Sequence, residues 1–104
     1  MTVPKKGSLG IAEIIGAKRD AVLKLAEQYG ATNVRVFGSV ARGEAREDSD
    51  VDFLVEYKPG TSIFDAIELW AALKDLLERD VSLSTEDTLK DFAKPTALRE
   101  LIRL

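Results

Sequence analysis

Two short apolar runs joined by a polar, glycine-bearing loop constrain this chain most. They are NVRVF (33–37) and DVDFLVEY (50–57), with GSVARGEAREDS between them. Both runs are rich in β-branched or aromatic residues and have strand length. Gly38-Ser39 stands where the first strand must turn. On the second strand successive side chains point to opposite faces. Asp50 and Asp52 therefore share one face, with Cα atoms ~6.5–7 Å apart, while Val51, Phe53 and Val55 take the other. Two carboxylates at that spacing make a hard-oxygen pocket suited to magnesium or manganese. Gly38 and Ser39 can offer backbone N–H groups to a phosphate, and Arg42, one turn on, can pair with one.

The flanking sequence supplies helices. Ile11, Ile14, Ile15, Val22, Leu25, Ala26 and Tyr29 recur at three- and four-residue steps, so 8–29 reads as an amphipathic helix, with Ser8 as its cap and Gly30 beyond its end. Lys58-Pro59-Gly60 is a turn, and Ser62 with Asp65 resembles a capping box opening a second helix. Ile63, Phe64, Ile67, Trp70, Leu73, Leu76 and Leu77 give that helix a broad apolar face, with Phe64 and Trp70 expected in the core. DVSLST (80–85) reads as a third strand. Residues 86–92 read as a short helical piece. Pro95 suits the first turn of a last helix, whose stripe is Leu98, Leu101 and Ile102. The expectation is an α/β (α+β) domain spanning 1–104, with 1–7 as a flexible leader. A mixed sheet of about three strands would carry helices on one face and leave its acidic face open.

Composition narrows the chemistry. At 104 residues and 45% hydrophobic composition the chain can bury one core. A net charge of −3 and a pI near 5.0 argue against direct nucleic-acid binding, which normally uses a basic face. There is no cysteine and no histidine, so catalysis must use carboxylates, hydroxyls and bound metal. No apolar run has the length of a membrane span, which points to a cytoplasmic protein.

Phosphoryl chemistry with two metal ions needs carboxylates holding cations ~3.5–4 Å apart, so that attacking and leaving oxygens are both stabilised. Asp50 and Asp52 can bridge such a pair, and a third carboxylate from a neighbouring strand usually completes the set. A triphosphate would lie over Gly38 and Ser39 and reach Arg42. Ser49 would orient the loop before the first aspartate. Glu44, Arg46, Glu47 and Asp48 read as a solvated loop with local ion pairs.

The string GSVARGEAREDSDVDFLVEY closely resembles the signature of minimal nucleotidyltransferases, within the DNA polymerase β-like nucleotidyltransferase superfamily. The matching residues are Gly38-Ser39, Ala41-Arg42-Gly43 and Ser49-Asp50-Val51-Asp52. The resemblance implies a transferase that uses Mg²⁺ (two ions, or Mn²⁺ in their place) to move AMP from ATP. It further implies an antitoxin whose acceptor is a hydroxyl, a tyrosine in some pairs, on a HEPN-domain RNase toxin. One position departs from the pattern: the family's third carboxylate aligns with Ser82. A serine hydroxyl is a poor metal ligand and no base at neutral pH. Asp80, two residues earlier on the same strand face, would replace it only after a large strand shift. Two readings therefore stay open: a protein adenylyltransferase, or a weakened or inactive domain that neutralises its partner by binding it.

Overall fold

The computed structural model describes residues 8–88 and 100–104. The expected leader over 1–7, the helix opened by Pro95, and Leu98 lie outside the described residues. The helical piece expected from Glu86 is helical over 86–88. Among the described residues no helix is long and apolar enough to cross a membrane.

The N-terminal helical region is broken. Helix α1 covers Ile11–Ile14, a 3₁₀ turn covers Gly16–Lys18, and α2 covers Arg19–Gln28. Gly16 at φ +36° lies outside right-handed helical space, so the backbone bends there and Ile15 turns into the core. The cap of α1 is Gly10, not Ser8, and the Glu13 carboxylate accepts a hydrogen bond from its N–H at 2.8 Å. Helix α2 buries Val22 and Ala26.

Strand β1 (Ala31–Phe37) leads into a short helix α3 (Gly38–Arg42), and β2 follows at Val51–Tyr57. After the Pro59-Gly60 turn comes α4, Ile63–Leu77, closed at its start by the expected box. Ser62 accepts from the Asp65 N–H, and Asp65 accepts from the Ser62 N–H. Strand β3 (Val81–Ser84) returns parallel to β2, as a β-helix-β crossover requires. A fourth strand, β4 (Ile102–Arg103), then pairs antiparallel with β1. The sheet order is β3-β2-β1-β4. The sheet thus has four strands instead of three, and Ile102 is extended rather than helical. The terminal peptide satisfies the outer edge of β1, with the Leu104 N–H bonded to the Val34 carbonyl at 2.9 Å.

Register fixes the two faces. Val36, Phe53 and Leu83 align across the sheet on one face, and Phe37, Asp52 and Ser82 on the other. Helices α2 and α4 cover the Phe53 face, where Val22, Ala26, Leu69, Leu73 and Leu77 pack with Val36, Val51, Val55 and Val81. Phe64 and Trp70 do not join this core. At 100° per residue, Leu69, Leu73 and Leu77 line one side of α4, while Ile63, Phe64, Ile67 and Trp70 swing into solvent. The acidic face is also less open than its polarity suggests. Leu54 is fully buried there, and beside it Arg35 is nearly so, donating to Glu86 at 2.9 Å. The face stays accessible at the end that carries Asp52.

Candidate active site

The site is built where β1 ends and β2 begins. The chain leaves β1 at Gly38 with φ +74°, a conformation side-chain-bearing residues rarely adopt. The turn also needs glycine for space. A Cβ built on Gly38 would collide with the Asp52 carboxylate Oδ2 and lie 3.2 Å from its Cγ. The Gly38-Ser39 turn therefore closes directly over the Asp52 side chain. Helix α3 runs away from that point, and its first-turn N–H groups have no acceptor within the helix. Gly43 ends α3 in the left-handed region at φ +72°.

The loop back to β2 is held from three sides. Leu9 and Ala45 exchange backbone hydrogen bonds at 2.9 Å in both directions. The Ser49 Oγ accepts the Arg46 N–H at 2.8 Å, so Ser49 shapes the loop in the manner expected for it. Arg79, beyond α4, donates one guanidinium nitrogen to two loop carbonyls, Arg46 at 3.2 Å and Ser49 at 3.1 Å. Arg79 carries no functional signal in the sequence. No local pattern marks it, because its partners are main-chain oxygens some thirty residues earlier.

Asp52 sits half-buried between Gly38 and Ser82. Burial pushes its carboxyl above the ordinary carboxylate range, the charge of Asp50 adds to that, and Arg42 partly offsets it. The two aspartates and Arg42 thus share one electrostatic neighbourhood. Neither carboxylate has a hydrogen-bond or ion-pair partner among the described residues. A desolvated carboxylate beside a second one, neither of them in a salt bridge, fits a divalent metal ion. Asp50 and Asp52 would hold it.

Arg42 is engaged elsewhere, donating to Glu100 at 2.8 Å and lying 3.5 Å from Glu44. The hydrogen bond to Glu100 is the main cause of its raised pKa. Both contacts are at the surface, where such pairs contribute little and exchange readily for a better anion.

Ser82 pairs with Asp52 across the parallel ladder, so the neighbouring position on the site face carries a hydroxyl. Asp80 lies at the outer end of β3. Its carboxylate is exposed and meets Lys74 Nζ at 3.5 Å, and its carbonyl accepts the Val51 N–H at 3.0 Å. Among the described residues no three acidic side chains converge as a metal site. The structure brings Gly38 against Asp52, with Ser39 next in the turn, sets Asp50 and Arg42 within electrostatic reach of Asp52, uses Ser49 to bond the Arg46 N–H, and holds the Asp80 side chain with Lys74.

Comparison with known proteins identifies the family and the fold. The family model for the nucleotidyltransferase domain matches residues 18–104. The chain belongs to the nucleotidyltransferase family. It is 43% identical over 79 residues to the protein adenylyltransferase MntA of Thermococcus cleftensis, which covers 76% of this chain and 80% of that one. A solved structure described as a minimal nucleotidyltransferase superposes with a TM-score of 0.72 at 48% identity, covering 85% of this chain and 90% of that chain. A chain from a toxin–antitoxin crystal structure with AMP-PNP has the same fold, with a TM-score of 0.61 at 22% identity over 81% of this chain and 69% of its own. The resemblance seen in the 38–57 motif thus extends to most of this minimal nucleotidyltransferase domain.

Proposed function

We propose that this domain is an Mg²⁺-dependent protein adenylyltransferase that acts as an antitoxin, transferring AMP from ATP to a hydroxyl, a tyrosine in the leading case, of a HEPN-type toxin. The observation that supports the reading best is the closure of the Gly38 turn onto the Asp52 carboxylate, which sets the turn's backbone beside an acid that also feels the charge of Asp50. The adenylyltransferase relative and the toxin–antitoxin neighbour with AMP-PNP support the choice of reaction and partner.

In this reading the Gly38-Ser39 backbone and the Ser39 hydroxyl receive the β- and γ-phosphates. Arg42 leaves Glu100 for the triphosphate, since a multiply charged anion outcompetes one carboxylate. Asp50 and Asp52 would hold the cation, whose contribution when bound would be to offset the charge of the triphosphate. The pinned loop 43–49 keeps the two aspartates in register with the turn, because small misplacements at such sites cost large factors in rate. The acceptor hydroxyl attacks the α-phosphorus, its proton passes to solvent or a nearby base, and pyrophosphate leaves.

A second reading is favoured by one observation, the hydroxyl of Ser82 at the position directly beside Asp52. With two carboxylates in place of three, the domain would retain nucleotide but transfer slowly, and would neutralise its partner by covering it. Incubation with α-labelled ATP, Mg²⁺ and the partner separates the two. Label on the partner that disappears with Asp52→Asn supports transfer. Neutralisation in cells that survives Asp50→Asn/Asp52→Asn without any labelling supports binding alone.

A further inference from the structure

The most conspicuous feature outside the site is the outer face of α4. Ile63 is 71% exposed, Phe64 73%, Ile67 53% and Trp70 40%. These residues recur at i, i+4 and i+7 with Phe64 beside them, the spacing by which one helix presents anchors to another. Alongside runs a groove of about 200 Å³ lined by Tyr57, Ala66, Ile67, Trp70 and Leu83. This apolar stripe is additional to the buried Leu69, Leu73 and Leu77, so the core does not require it.

The aromatic anchor is already fixed. Trp70 Nε1 donates to the Val81 carbonyl at 2.7 Å, and Lys74 Nζ lies 4.4 Å from the ring centre. A rigid, half-exposed tryptophan loses little freedom on association, which is the property of a binding hot spot. The same hydrogen bond occupies a carbonyl of the edge strand β3, so strand addition there is disfavoured and helix docking favoured.

Charge selects the occupant. Lys74 is matched by Asp80, and the exposed charges flanking the stripe are Glu68 and Asp75. Two copies packed through antiparallel α4 helices would bring together the flanks that carry Glu68 and Asp75, because equal flanks meet in that geometry. Like charges there oppose a homodimer. From the stripe, the fixed indole and the acidic rim, we infer that α4 is the docking surface for an amphipathic helix of a partner protein, with an apolar stripe flanked by lysine or arginine. The inference does not depend on the chemistry at Asp52.

The single tryptophan reports the event directly. A synthetic amphipathic helical peptide with a leucine stripe and lysine flanks is titrated into the full chain while Trp70 emission is followed. Its counterpart carries glutamate flanks. The expected result is a saturable blue shift with the basic peptide, at least fivefold weaker binding of the acidic one, and loss of the shift in Ile67→Asp. Glu68→Lys/Asp75→Lys should reverse the peptide preference by about fivefold or more. Ile67 and Phe64 are exposed, so Phe64→Ser serves as a second variant, with circular dichroism checking the fold. Asp52→Asn should bind the peptide normally, which separates this claim from the nucleotide site. No shift, equal binding of both peptides, or binding unchanged in both variants would overturn the inference. So would self-association of the wild type in sedimentation that Ile67→Asp abolishes, since a second copy would then occupy the face.

Discussion

The backbone of Gly38 and the carboxylate of Asp52 occupy adjoining space that leaves no room for a methyl group between them. They are fourteen positions apart in sequence, yet the antiparallel pairing of Phe37 with Asp52 brings them together. Gly38→Ala meets two penalties, the collision and the left-handed backbone, and should cost about 1–2 kcal/mol. Thermal denaturation should show that loss, and titration with Mg·ATP should show no binding. Asp52→Ala added to Gly38→Ala removes the collision but not the backbone strain, so the double variant should recover part of the stability and none of the binding.

Asp52 should make the free protein less stable when ionised. Its folded-state pKa is raised by burial and by Asp50, so the protein binds protons more tightly than its unfolded chain does. The sign follows from linkage: the protonated form is favoured in the fold, that contribution is complete below the unfolded carboxylate pKa of ~4, and it is lost as pH rises through the folded value. Asp52→Asn should therefore melt a few degrees higher than wild type near neutral pH, with the difference fading in acid. Millimolar Mg²⁺ should raise the wild-type melting temperature and leave Asp52→Asn unmoved. Melting curves across pH, with and without the cation, check both statements.

Much of this site was legible because its parts are local. The alternation in DVDFLVEY sets Asp52 on the face opposite Phe53, although the strand itself begins at Val51 and leaves Asp50 just before it, and the Gly-Ser turn must follow a strand that ends at Phe37. What escaped depended on distant contacts. Arg79 acts on carbonyls at 46 and 49, a relation no periodicity encodes. The break at Gly16 is hidden because Ile14 and Ile15 continue the helical pattern across it. Ile102 belongs to a helical stripe by spacing, but the free edge of β1 captures it as β4. Trp70 and Phe64 illustrate the limit of apolar patterning: a helix apolar over a wide arc does not reveal which part of that arc meets its own domain.

Ser82 offers the most direct test of how complete the site is. The parallel register places residue 82 beside Asp52. Ser82→Asp should tighten Mg²⁺ binding, because a third carboxylate joins the two already present. Without metal the same variant should be less stable by about 1 kcal/mol, since three acids then repel one another. Cation-dependent melting and the rate of label transfer from α-labelled ATP measure the two effects. Unchanged metal affinity would mean that position 82 does not face the cation.

Arg79 should act only through the loop that carries Asp50. Arg79→Ala removes the donor to both the Arg46 and Ser49 carbonyls. The expected loss is about 1 kcal/mol of stability, with faster amide exchange confined to residues 44–50. Nucleotide binding should weaken severalfold as Asp50 loses its fixed position. Arg79→Lys, which keeps a donor but not the planar guanidinium, should recover part of it.

Isothermal titration with ATP, in the presence and absence of Mg²⁺, tests the central claim most directly. A single cation-dependent site, abolished by Asp52→Asn and by chelation, is the predicted result. Heat that is indifferent to the metal or to Asp52, or no binding at all, would contradict the assignment of this pocket to metal-chelated nucleotide.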